Sequence, residues 1–271
     1  MTTTPTLLGA ICYYSATGNT KLASEYIARH AGADFELIDV IRDGDSIDVE
    51  RYDVVGLAAP TDFGGMPQRF EQFLADLPEQ GGKPAFVMNT YGFASGRTLL
   101  DLDERATSRG FTVVAAHSLR MPENYPPMIS IGLGFPLRPK AKDVRTFDKF
   151  IGDVSGVFDA IASGETVAAQ TVRLGMLGGL SGSRPRTTAR DDMGEKSVDV
   201  SRCTECGRCA RRCPYGAIEM SPKPVFDTSR CMGCWRCYNQ CPERAISTRR
   251  FHARPTYEGP SPHARHMLGA E

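Results

Sequence analysis

Long apolar runs are absent from this 271-residue chain. No stretch approaches the ~18 apolar residues of a membrane-spanning helix. The opening residues, MTTTPTLLGAICYYSATG, have no basic start, and polar residues interrupt their apolar run. Neither a span nor a secretory leader is expected. Cysteine is nearly absent too, except in one window: eight of the nine lie between Cys203 and Cys241, and the other 232 residues hold only Cys12. Secreted disulfide scaffolds are short and Cys-rich throughout, so a soluble, cytoplasmic protein is expected. The five histidines show no metal-ligand spacing. Net charge is zero but unevenly spread. Residues 1–170 hold 15 basic and 22 acidic side chains; residues 171–271 hold 17 and 10.

What is present divides into two parts, as the length allows at about 100–200 residues per domain. Residues 1–168 alternate short apolar runs with amphipathic stretches. Strands are expected at 7–15, 34–40, 52–60, 83–92 and 111–122. Helices are expected at 19–31, 67–78, 96–110 and 142–165, where apolar residues recur at helical spacing, as in Leu22, Ala23, Tyr26 and Ile27. Such alternation predicts an α/β fold, a parallel sheet with helices on both faces. Five strands suit the doubly wound order 2-1-3-4-5. Residues 169–196, centred on GMLGGLSGSRPRTTARDDMGEK, read as a Gly/Ser-biased flexible linker. Residues 197–251 form a small α+β module that carries the cysteines, and 252–271 a tail.

The cysteines make two copies of C-x2-C-x2-C-x3-C-P: Cys203, Cys206, Cys209, Cys213-Pro214, then Cys231, Cys234, Cys237, Cys241-Pro242. Three thiolates at every third position suit a tight loop around one face of an iron–sulfur cube, with its N–H groups turned toward the sulfides. The fourth, at the start of the next turn, points to the other cluster. The expected ligand sets are Cys203, Cys206, Cys209 and Cys241 for one 4Fe-4S cluster, and Cys231, Cys234, Cys237 and Cys213 for the second. Two structural zincs are the alternative, but zinc modules pair C-x2-C knuckles across a spacer. The blocks resemble bacterial two-cluster ferredoxin, with all eight ligand positions filled. A basic half often marks a nucleic-acid partner. Here Arg202, Arg208, Arg211, Arg212, Arg230, Arg236, Arg249 and Arg250 are better matched to the negative charge of thiolate-bound clusters, and no nucleic-acid partner is expected. These arginines raise the cluster potentials, dock an acidic donor, or form an ordinary solvated face. Trp235, Tyr215 and Tyr238 are expected to pack around the clusters.

Between the first strand and helix stands SATGNT, residues 15–20. Its hydroxyls and N–H groups at a helix N-terminus make an anion site. Lacking both G-x-x-x-x-G-K-S/T and G-x-G-x-x-G, it suits a monophosphate; alone, the same residues serve as a turn and cap. PTDFGGMP (60–67) and NTYGFASG (89–96) leave the third and fourth strands at the same carboxyl edge, where open α/β sheets take ligands. Each sets an aromatic residue beside glycines that admit a flat ring. The series S-x-T-G-N-T, P-T-D-F-G-G-M-P and T-Y-G resembles the FMN site of flavodoxins, and the whole chain resembles flavodoxin–ferredoxin fusions. The resemblance implies that Ser15, Thr17, Gly18, Asn19 and Thr20 hold the FMN phosphate. It also implies that Pro60, Thr61, Asp62, Phe63, Gly64 and Gly65 flank the isoalloxazine together with Asn89, Thr90, Tyr91, Gly92, Phe93 and Gly96. Neither loop offers a tryptophan for stacking.

Residues 120–139 form a long irregular insert on the cofactor side, a lid or docking surface or else a solvated Pro-rich loop. Tyr125 and Met128 are its candidates for covering the flavin or meeting the cluster module. Cys12 reads as a small core residue, and His263 and His266 as solvated. The expected function is electron transfer among two clusters, FMN and an external redox protein or reductase, with no catalytic acid or base. The alternatives are an FMN-dependent reductase of a small acceptor such as a quinone, fed through the clusters, and a metal-stabilised interaction module. Flavin and cluster meet within one chain or across a homodimer.

Overall fold

A computed structural model describes residues 7–44, 47–172, 186–252 and 254–270, with 186 and 187 described by backbone alone. Strands β1 (Leu8–Tyr13), β2 (Asp34–Asp39), β3 (Val54–Pro60), β4 (Pro84–Tyr91) and β5 (Thr112–Arg120) form one parallel sheet in the order β2-β1-β3-β4-β5. This is the expected doubly wound order. The central strands are near-continuous apolar runs because both faces are covered; Val54 to Ala59 are buried at every position. Side chains alternate between two layers. Ala10, Cys12 and Tyr14 join Val55, Leu57, Phe70, Leu74 and Leu102 in one, under α2 (Gln68–Asp76) and α3 (Thr98–Ser108). Ile11 and Tyr13 join Phe86, Met88, Leu22 and Ile27 in the other, under α1 (Asn19–His30).

Beyond β5 the 120–139 segment contains one short helix, α4 (Pro126–Ser130), before α5 (Ala141–Ala162). Helix α5 buries Phe147, Phe150, Ile151, Val154, Val157 and Phe158, the i, i+3, i+4 stripe of an amphipathic helix, in the second layer.

Two stretches differ from the sequence reading. Of the expected linker, residues 173–185 lie outside the described residues. The rest is not all irregular, since α6 (Arg186–Met193) and β6 (Lys196–Val198) follow. Helix α6 has almost no apolar stripe to announce it, but it buries Met193 against Trp235, Tyr238 and Ile246. The tail also folds back. Its helix α9 (Pro262–Met267) begins at Ser261, whose Oγ accepts from Ala264 N–H. Ala264 and Leu268 enter the second core layer, and Arg29 Nη2 donates to Leu268 O at 2.7 Å. His263 is only partly solvated, and its Nε2 lies 2.9 Å from Pro139 O.

The cysteine module comprises α7 (Arg208–Arg211), the antiparallel pair β7 (Ile218–Ser221) and β8 (Lys223–Phe226), α8 (Arg236–Asn239), and β9 (Ile246–Thr248), which pairs with β6. The sequence repeat is also a backbone repeat. Glu205, Gly207 and Gly216 take left-handed φ values of 57°, 68° and 56°, and their counterparts Gly233, Trp235 and Arg244 take 64°, 59° and 49°. Each pair has one glycine, in the second copy for Glu205 and Gly233 and in the first copy for the other two. At Gly233 packing explains it, because a Cβ would stand 2.5 Å from Ala189 O of α6. Among the described residues, no helix is long and apolar enough to cross a membrane.

Candidate cofactor sites

A cavity of about 380 Å³ opens at the carboxyl edge of the sheet, within the ~300–1,000 Å³ usual for small-molecule sites. Ser15, Thr17, Asn19, Thr20, Pro60, Thr61, Asp62, Phe63, Gly64, Thr90, Tyr91, Gly92, Phe93 and Gly96 line it. Gly18, Gly65 and Asn89 are not among its lining residues; they shape the loops instead. Gly18 N–H donates to Ser15 Oγ at 3.1 Å. Asp62 N–H donates to Gly65 O at 2.9 Å, closing the turn that holds Phe63 at φ 51°. Asn89, fully buried, donates Nδ2 to Thr61 Oγ1 at 2.8 Å and Ser95 Oγ at 3.0 Å, joining the two ring loops. The loops touch closely at Gly96, where a Cβ would lie 2.2 Å from Gly64 O.

At the first loop, helix α1 begins at Gly18, which has no side chain to cap it, and Ser15 Oγ accepts from Lys21 N–H in the first turn at 3.2 Å. Its first-turn N–H groups and dipole therefore favour an anion. Thr17, Thr20 and Ser15 are buried around this end, and Thr20 Oγ1 lies 2.9 Å from Thr90 Oγ1. A helix start at a glycine, among buried hydroxyls, fits the phosphate of FMN.

The sequence reading missed part of the wall. Tyr125 and Met128 do line the cavity, with Pro122, Glu123 and Asn124 beside them, so part of the 120–139 segment forms one wall. Glu123 fastens it by accepting from Phe93 N–H at 3.0 Å. Gly233, Cys234 and Trp235 of the cysteine module also line it. Trp235 packs edge-on against Tyr238 at 5.3 Å. It also meets Tyr125 at 5.9 Å and 76°, and Tyr125 meets Phe63 at 5.4 Å. The tryptophan absent from both loops thus reaches the cavity from the cysteine module. The one signal for it in the sequence is the break in the repeat, with Trp235 where the first copy has Gly207.

A hydrogen-bonded junction holds these parts together. Asn239 of α8 donates Nδ2 to Asn124 O at 2.9 Å, and its Oδ1 accepts from Tyr257 N–H at 3.0 Å. Asn124 Nδ2 reaches Thr17 Oγ1 at 2.7 Å, and Tyr257 OH reaches Asn19 Oδ1 at 2.5 Å. Phosphate loop, lid, cysteine module and tail therefore share one network.

The eight cysteines gather in two places. Cys203, Cys206, Cys209 and Cys241 line a single small cavity. Cys213 and Cys231 stand close enough to Cys234 and Cys237 to raise the pKa of both. Burial pushes the Cys234 thiol up to about 12, and Cys213 and Cys231 add to the shift. Thiolates in such surroundings need a compensating positive centre, which iron supplies. The backbone assists: Ala217 N–H donates to Cys213 Sγ and Ala245 N–H to Cys241 Sγ, both at 3.3 Å. Lys196 Nζ lies 3.1 Å from Cys231 Sγ. The repeated left-handed turns expose successive N–H groups, the concavity that anions and iron–sulfur centres occupy.

Residues 10–92 match the family model of a flavodoxin domain, and residues 202–245 that of a 4Fe-4S dicluster domain. The flavodoxin of Clostridium beijerinckii is 30% identical over 109 residues, covering 38% of this chain and 79% of that protein. The chain belongs to the flavodoxin family. It is a flavodoxin with a dicluster module fused behind it, an electron-transfer flavo-iron-sulfur protein whose cofactors are FMN and two 4Fe-4S clusters. Similar solved structures include a flavodoxin from the domain Archaea, 18% identical, covering 56% of this chain and 99% of that one at a TM-score of 0.43. Flavodoxin 1 of Bacillus cereus is 22% identical, covering 55% and 97% at 0.41. In this flavodoxin the aromatic wall of the cavity is shared between two domains.

Proposed function

We propose that electrons pass within one chain, between FMN in the 380 Å³ cavity and the cluster held by Cys231, Cys234, Cys237 and Cys213. The cluster held by Cys203, Cys206, Cys209 and Cys241 then faces an external redox protein. The observation that carries this reading is that Cys234 and Trp235 line the same cavity as Thr17, Phe63 and Tyr91. When bound, FMN carries one or two electrons and each cluster one. The chain's own residues hold and shield these groups. Tyr125, Met128 and Trp235 wall off one side of the cavity, and the Asn239 junction keeps lid and module in register. Cys206 is exposed, as are Arg211 and Arg212 nearby, a basic surface suited to an acidic partner.

The test is the rate of flavin–cluster equilibration after flash photoreduction. It should be unchanged over a hundredfold range of protein concentration. A rate proportional to concentration would show transfer between chains and sink the reading.

One observation favours a small-acceptor reductase instead: Phe93 lines the cavity while 56% exposed, so a flat molecule such as a quinone has an edge to approach. Rapid quinone or NADH turnover by the purified protein would select that reading.

A further inference from the structure

Arg208 and Arg236 occupy the same place in the two cysteine repeats, immediately before the third cysteine. Both bury guanidinium nitrogens that have no hydrogen-bond partner among the described residues: Nε in Arg208, and Nε with Nη1 in Arg236. A buried, charged, unpartnered donor is among the costliest groups a fold can hold, and such orphans point to a missing acceptor. Here the orphan recurs at equivalent positions. The two side chains line one small cavity with Arg212, Gln240, Cys209 and Cys237. Cys209 belongs to the first expected ligand set and Cys237 to the second. At about 10 Å³ that cavity has room for little more than one water, so no sizeable free anion satisfies both guanidinium groups there.

Other charges around the pair leave the demand for an anion in place. Arg211 and Arg212 add positive charge, and Arg212 spends one Nη1 donor on Gln240 Oε1 at 3.3 Å. Asp39, from the end of β2, is the carboxylate whose charge reaches both Arg212 and Arg236. The abundant acceptors beside these arginines are the sulfurs of two negatively charged clusters.

We propose that Arg208 and Arg236 each donate guanidinium hydrogen bonds to the sulfurs of the cluster bound by their own repeat's first three cysteines, raising that cluster's midpoint potential. This rests on the two-cluster reading and on its ligand assignment. The donors stabilise the reduced, more negative state, so removing one lowers the potential. A charge-assisted hydrogen bond is strong enough to change the reduced-to-oxidised ratio about tenfold at fixed ambient potential, or 59 mV for a one-electron couple.

Redox titrations followed by EPR on Arg208→Gln and Arg236→Gln proteins test this. Each variant should lower the potential of its own cluster and leave the other near wild type. Fully assembled variants with unmoved potentials, or with both clusters moved equally, overturn it. Should a glutamine variant fail to assemble its cluster, the wild-type protein decides, grown with arginine labelled with ¹⁵N in the guanidinium only. Pulsed EPR of each reduced cluster should then show a ¹⁵N coupling, and its absence overturns the proposal. Iron analysis of the same sample separates the underlying reading, which requires about eight atoms per chain; a far lower count means no cluster and sinks both.

Discussion

Trp235 occupies in the second cysteine repeat the position that Gly207 holds in the first, and both take a left-handed φ, 59° and 68°. For a bulky side chain this backbone costs roughly 1–3 kcal/mol. Packing offsets it: the indole is 3% exposed, with Tyr125, Tyr238 and Phe251 around it. The strained residue is the one that carries the cysteine module into the wall of the cavity.

Replacing it tests both sides of that balance. Trp235→Gly relieves the backbone but removes a buried aromatic worth roughly 3–5 kcal/mol, so denaturant unfolding should show a net loss of about 2 kcal/mol. FMN affinity should fall about tenfold, the 1.4 kcal/mol of one lost ring contact. Trp235 is the sole tryptophan, so FMN added to the flavin-free native protein should quench its emission. Emission indifferent to FMN would remove Trp235 from the flavin wall.

Asn239→Ala cuts the junction at its centre and leaves Tyr257 N–H and Asn124 O without their partner. At about 1–3 kcal/mol for a buried unsatisfied group, stability should drop by that order. Flavin–cluster equilibration should also slow, because lid and module lose register. Unchanged equilibration in a destabilised variant would confine Asn239 to a structural role.

The crossed ligand sets make a paired prediction. Cys213→Ser should remove or convert the cluster of Cys231, Cys234 and Cys237 and spare the other, whereas Cys241→Ser should do the reverse. Mössbauer and EPR spectra of the two variants check it. If each substitution damages the cluster of its own repeat, the crossing is wrong.

His117 stacks on Phe147 and Phe150 at 5.3 and 5.4 Å, and burial lowers its pKa from 6.5 to about 4. The folded state therefore holds it neutral. Its contribution is fully present above pH 6.5 and is lost as pH falls through about 4, because the unfolded chain binds the proton first. At about 1.36 kcal/mol for each tenfold change in proton affinity, the effect reaches about 3 kcal/mol. Urea midpoints measured from pH 7 to pH 4 should fall in wild type and flatten in His117→Phe; parallel slopes would assign the acid sensitivity elsewhere.

Much of this was legible in the chain itself. Local signals carried it: short apolar runs for the sheet and period-3.6 apolar spacing for its helices, a hydroxyl-rich turn before α1, and two identical cysteine spacings. Helices α6 and α9 were not legible. Arg186–Met193 and Pro262–Met267 are short and polar, so neither has an apolar stripe of its own, and each forms because a neighbour offers a surface for one or two side chains, Met193 in one case and Ala264 with Leu268 in the other.

By itself, then, the sequence determined the two domains' chemistry, because a cluster motif and a phosphate turn are each contiguous and their geometry follows from spacing. Only the tertiary structure decided how those chemistries meet. Trp235 and Cys234 line the same cavity as Thr17 and Phe63, although more than 170 positions separate them in the chain. No periodicity records such a meeting, since it depends on how two packed surfaces fit, and that is settled by the burial of Trp235 and the hydrogen bonds of Asn239.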